Sequence, residues 1–207
     1  YFEPGSAWHY GHSTDVLGAV LEIAGGETLD IILEERIFTP LGMDETDFWV
    51  PKSKKYRIAE AAQGTGLGDN TVPRKMLSGG GGLNSTTEDY VRFAEMLLNG
   101  GTYRGNRVIK ETTLNLMREK KIQDDVSREY FFYGDRGDWG LGFHLQPTTE
   151  SEDGPHNFGW RGIAGTYFAV DIENDFYMIY MEQKRGGPTA PFNANVAGRM
   201  VYEAMMN

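Results

Sequence analysis

The 207-residue chain contains no cysteine. That excludes disulfides, thiol nucleophiles and cysteine-ligated zinc, and leaves any chemistry to oxygen and nitrogen groups. No run of about 18 apolar residues occurs, because Glu, Asp or Gly interrupts every apolar window, so no segment reads as a bilayer-spanning helix. The first residues carry neither a basic region nor an apolar stretch and do not read as a signal peptide, which leaves the compartment open. Basic residues are also in deficit, 20 against 30 acidic for a net charge of −10. Such a balance repels phosphate backbones and excludes nucleic acid as a partner unless a basic patch is concentrated. The two short basic stretches, Lys52-Ser53-Lys54-Lys55 and Arg118 to Lys121, read as solvated loop or helix ends. The histidines His9, His12, His144 and His156 lack metal-binding spacing, so neither a metal nor any other cofactor is implied.

What is present suffices for an ordinary core, with 40% hydrophobic residues. Ser13 or Thr14 can cap a helix through about Ala24, with Val16, Leu17, Val20 and Ile23 recurring at helical spacing and Gly25-Gly26 ending it. A second helix is expected from about Thr28 to Ile37, closed by Pro40. Asp44 to Leu77 reads as long loops with one short strand, of the length that often lines a site. After Ser78-Gly79-Gly80-Gly81-Gly82, Ser85 and Glu88 stand at capping-box spacing and predict a helix to about Asn99, burying Tyr90, Ala94, Leu97 and Leu98. A short helix fits Lys110 to Lys120. From Gly140 the period becomes alternating: Leu141, Phe143 and Leu145 share a strand face, with His144 expected on the solvent face, and further strands read as Gly165 to Asp171 and Phe176 to Gln183. Asn174-Asp175 makes a plausible tight hairpin between them. A last helix spans about Asn193 to Met206.

The order predicts an α+β chain: helices and site-lining loops over residues 1–137, then an antiparallel meander and a covering helix over residues 138–207. Tyr10 sits just before the first helix, in Trp8-His9-Tyr10-Gly11-His12. Ser78 does not stand in a Gly-x-Ser-x-Gly elbow, since Met76 lies two residues before it.

Four segments in order, Pro4 to Gly18, Pro40 to Met43, Gly79 to Phe93 and Phe158 to Asp171, carry a resemblance that covers nearly the whole chain. Together they resemble the C-terminal half of the serine hydrolases related to class C β-lactamases, a family that includes penicillin-binding-protein-like esterases and D-amino-acid peptidases. The resemblance implies the C-terminal part of a β-lactamase/transpeptidase-like fold and an acyl-enzyme mechanism. It assigns Tyr10 as acid/base, and His12 to the place where the lactamase branch has Asn. A free phenol titrates at about 10, so the role needs an adjacent ammonium, which the family draws from Ser-x-x-Lys. Trp160-Arg161-Gly162 matches the third signature, making Trp160 and Gly162 substrate-binding and the Ile163 amide an oxyanion-hole donor. Arg161 is a candidate for holding a substrate carboxylate, although strand alternation turns it away from Trp160.

No serine has a lysine three positions later. The resemblance therefore implies that the nucleophile lies in a segment not present here, the chain being a portion of a roughly twice larger protein, a split product or a separately encoded half. The expected partners are an N-terminal half or a second copy, together with a small ester or amide substrate. Tryptophan in place of the signature lysine favours an esterase over a β-lactamase or D-amino-acid peptidase. The rival class is a non-catalytic binding module on the same scaffold.

Overall fold

A computed structural model describes residues 2–61, 64, 66–134, 137–146, 158–185 and 192–206. Helix α1 covers Ser13–Gly25, and Gly26 closes it in the left-handed conformation that glycine adopts without cost. Its N-cap is His12, whose side chain accepts no capping hydrogen bond, rather than Ser13 or Thr14. Helix α2, Leu29–Leu33, runs into a π-turn at Glu34–Phe38 and then into α3, Thr39–Leu41. Pro40 does not end the helical path. It falls in the first turn of α3, where a missing N–H costs nothing, and Gly42 closes the run instead. The loop region holds a 3-10 turn, Lys52–Arg57, and no strand among the described residues beyond a single Asp47–Asn84 bridge.

Helix α4, Thr87–Leu98, is capped one residue later than the capping box predicts: the Thr86 side chain accepts from the Asp89 N–H at 3.2 Å. Asp89 is buried and accepts from the Glu45 amide, the Thr46 hydroxyl and Arg92, which locks the α3–Phe48 loop onto α4. A two-residue hairpin follows, β1 (Thr102–Tyr103) and β2 (Asn106–Arg107), then helix α5, Glu111–Met117.

The remaining strands form one antiparallel meander in sequential order: β3 (Asp138–Trp139), β4 (His144–Leu145), β5 (Phe158–Arg161), β6 (Tyr167–Asp171) and β7 (Phe176–Tyr180). The expected strand from Leu141 is shorter than its alternation suggests. Gly140 to Phe143 turn the chain between β3 and β4, so Leu141 is exposed while Phe143 is buried. His144, expected at the surface, is buried with its ring stacked at 3.7 Å on Tyr133. The β6–β7 connection is a four-residue turn rather than a tight one: Asp171 pairs with Phe176 and binds the backbone and side-chain amides of Asn174.

Strand β6 is buried at every position, and alternation sorts its side chains between two layers. Phe168 and Val170 join Phe158, Ala94 and Leu97 on the α4 side. Tyr167 and Ala169 join Met178 and the C-terminal helix α6 (Ala194–Met206), through Ala194 and Ala197, on the other side. Each fully buried Phe or Leu of this kind stabilises the fold by about 1.5–3 kcal/mol. With both sheet faces covered, the uncovered apolar surface lies elsewhere. One stripe of it is on α1, where Val16, Leu17, Val20, Leu21 and Ile23 are exposed, Ile23 by 85%.

Candidate active site

A parallel bridge between Ala7 and Ser127 ties the N-terminal segment to the loop that leads into the sheet. Ser127 N donates to Ser6 O and Trp8 N donates to Ser127 O, both at 2.9 Å. That bridge delivers the loop following Ser127 to the rings of Trp8 and Tyr10. Arg128 then fixes the far side of the loop, donating to Gly137 O and to Asp138 Oδ2 at 2.7 Å while lying over the Phe131 ring.

Five rings meet as a result. Trp8 packs against Phe132 and Trp139 with centroids 5.7 and 5.4 Å apart. Tyr10 lies 5.2 Å from Phe132, 6.3 Å from Trp139 and 5.4 Å from Trp160. Trp139 and Trp160 meet edge to face at 4.5 Å, a geometry that the ring quadrupoles favour. Tyr10 is 40% exposed, so the apolar rings surround its body and leave part of it accessible. Among the described residues its hydroxyl takes no hydrogen bond.

The structure thus brings together two of the sequence-derived candidates, Tyr10 and Trp160. Arg161 turns to the opposite face of the sheet, where its guanidinium lies 4.7 Å over the ring of its cross-strand neighbour Tyr167. β5 ends at Arg161, so Gly162 and Ile163 sit in the turn to β6 rather than on the strand. Gly162 N donates to Thr166 O at 2.8 Å, and a Cβ on Gly162 would overlap the Thr166 hydroxyl. Ile163 stands at the turn tip, 70% exposed.

His12 is exposed, with Nδ1 3.0 Å from Asp15 Oδ2. The same carboxylate accepts from the Ser78 hydroxyl at 2.5 Å and the Gly80 amide at 3.1 Å. These hydrogen bonds, Ser78 first and His12 next, hold the Asp15 carboxyl below the usual aspartate range. Ser78 is therefore a structural hydroxyl, engaged in joining the glycine run to the start of α1.

Sequence reasoning missed Trp8, Phe132 and Trp139. The adjacent Phe131-Phe132-Tyr133 run, in a region without secondary-structure periodicity, is the signal from which they could have been found.

A protein-family model described as Beta-lactamase matches residues 1–199. The chain belongs to the beta-lactamase family. Protein Rv1367c of Mycobacterium tuberculosis is 30% identical over 217 residues, covering 95% of this chain and 53% of the relative. Esterase EstB of Burkholderia gladioli is 26% identical over 198 residues, covering 82% of this chain and 48% of the relative. The solved structure of unliganded simvastatin synthase LovD from Aspergillus terreus superposes with a TM-score of 0.78 at 18% identity, covering 98% of this chain and 56% of that one. That likeness shows the fold: helices, then an antiparallel sheet and a C-terminal helix, arranged as in β-lactamases and transpeptidases. The chain spans about half the length of the curated relatives it matches.

Proposed function

We propose that this chain is one half of a serine carboxylesterase working through an acyl-enzyme, with the Ser-x-x-Lys nucleophile carried by a segment not present here. The observation that carries the reading is Tyr10 set against Trp160, 5.4 Å apart, in a wall that, among the described residues, lacks a cationic side chain in place of the signature lysine, since Arg161 faces the other way. A β-lactam or D-alanyl peptide presents a carboxylate that such a wall does not grip, whereas a neutral ester needs no counter-charge. The esterase relative from Burkholderia gladioli supports the same choice.

In this reading the lysine ammonium favours the Tyr10 phenolate, which takes the serine proton as Oγ attacks the ester carbonyl carbon. The Ile163 amide donates to the carbonyl oxygen as it becomes negative. Tyr10 returns its proton to the leaving alkoxide as the carbon–oxygen bond breaks, and water then hydrolyses the acyl-serine. His12 borders the substrate, its Nδ1 held by Asp15.

The exposed apolar face of α1 is the proposed seat of the nucleophile-bearing half, consistent with a chain half as long as its relatives. Fluorophosphonate labelling of the complete protein, together with turnover of a nitrophenyl ester above a chromogenic cephalosporin and a D-alanyl peptide, is the expected result. Tyr10→Phe should lower ester turnover by about 10²–10⁴-fold, the usual contribution of a positioned acid–base group. Undiminished hydrolysis by Tyr10→Phe refutes the role given to Tyr10.

A further inference from the structure

Phe132 is 59% exposed although its ring touches Trp8, Tyr10 and Trp160. A lone exposed aromatic is ordinary, but this ring is the outermost of a five-ring wall, and so extends a continuous apolar surface into solvent. The nearby cation is already engaged: Arg128 is spent on Asp138 and on the Gly137 carbonyl. Among the described residues the wall therefore offers ring faces and edges and no free charge, which suits an uncharged, flat, apolar group.

Its position relative to the chemistry selects which part of an ester that group is. The wall encloses Tyr10, and in the esterase reading, on which this inference rests, Tyr10 delivers its proton to the leaving oxygen. A group bonded to that oxygen lies against the rings packed around Tyr10. The acyl carbon, which in the same reading faces the Ile163 amide, lies at the other end of the scissile bond. We propose that the Trp8–Phe132–Trp139 wall is the subsite for the alcohol side of the ester, that it selects uncharged ring-bearing alcohols, and that Phe132 is its specificity-determining side chain. The bond broken is the one between acyl carbon and alcohol oxygen. The alcohol leaves with the proton from Tyr10, and no other reactant is needed until water enters.

The test compares 2-naphthylmethyl acetate with ethyl acetate as substrates of the complete protein; both release primary alcohols, so intrinsic reactivity is similar. The naphthylmethyl ester should have the higher kcat/KM, and Phe132→Ala should lower the naphthylmethyl-to-ethyl ratio by roughly three- to tenfold. Phe132→Tyr, which keeps the ring, should retain the ratio. Binding of 2-naphthylmethanol is read separately by quenching of tryptophan fluorescence, since Trp8, Trp139 and Trp160 all lie in the wall. Equal turnover of both esters, or an equal fall of both in Phe132→Ala, overturns the subsite and leaves the esterase reading standing. Phe132-dependent binding of the alcohol with turnover of neither ester overturns the esterase reading, and with it the assignment of the alcohol side.

Discussion

The Asp15 carboxylate accepts the Ser78 hydroxyl at 2.5 Å across 63 positions of sequence. Because it also holds His12 Nδ1 and the Gly80 amide, one side chain fastens the glycine run to the triplet that carries Tyr10. Glycine is required on the other side of that contact. A Cβ on Gly79 would overlap the Thr14 carbonyl oxygen, and one on Gly80 would stand 2.9 Å from the Thr14 hydroxyl.

Asp15→Ala should therefore lower the melting temperature, by an amount that depends on pH. The folded carboxyl titrates below its unfolded value, so its contribution is fully present above the ordinary aspartate pKa of about 3.9 and fades as pH falls through the lower folded value. Thermal melts of the wild type and Asp15→Ala should stay apart above about pH 4 and converge as pH falls below it. An interval that persists unchanged to pH 2 would assign the effect to packing alone.

The glycine run offers a matched pair of substitutions. Gly79→Ala drives a methyl group into fixed backbone and should cost about 1–3 kcal/mol in urea denaturation. Gly81→Ala meets nothing within 4 Å and should be neutral, or stabilising by up to about 1 kcal/mol through the less flexible unfolded chain. Equal losses at both positions would mean that the run serves flexibility rather than close approach.

Helix α1 presents Val16, Val20 and Ile23 to solvent on one stripe, flanked by Leu17 and Leu21. The chain on its own should self-associate through this stripe, with light scattering giving a mass above 23.2 kDa that rises with concentration. Val16→Lys with Ile23→Lys should return the mass to that of one chain. A monodisperse wild-type monomer with nothing bound would remove the case for a complementary half seated there.

The elements legible in the sequence are those whose own apolar residues repeat at the period of the element, whether the face so marked is buried, as in α4, or exposed, as in α1. α1, α4 and α6 follow apolar spacing, and β6 and β7 follow alternation against two covered faces. Local rules failed where a neighbour in space overrode them. The π-turn at Glu34–Phe38 carried the helix past Pro40, and the turn at Gly140 removed Leu141 from a strand that its spacing had suggested. Trp160 and Tyr10 were readable because they lie in motifs. Trp8, Phe132 and Trp139 were not, since a bridge between Ala7 and Ser127 joins distant stretches and leaves no period in either. His144 was misjudged for a related reason: the Tyr133 ring that covers it comes from a loop outside its strand.

That Ala7–Ser127 bridge also sets how the site comes apart. Two amide N–H to carbonyl hydrogen bonds and the rings beyond them join residues 6–10 to the loop after Ser127, while the core of Phe158, Phe168, Val170 and α4 includes no residue of either stretch. The segment bearing Tyr10 and the loop bearing Phe132 should therefore open together, at a lower free energy than the sheet. Deuterium should enter the Trp8 and Ser127 amides at one shared rate, well before the amides of β6, so that Tyr10 and the wall are lost and regained in the same event.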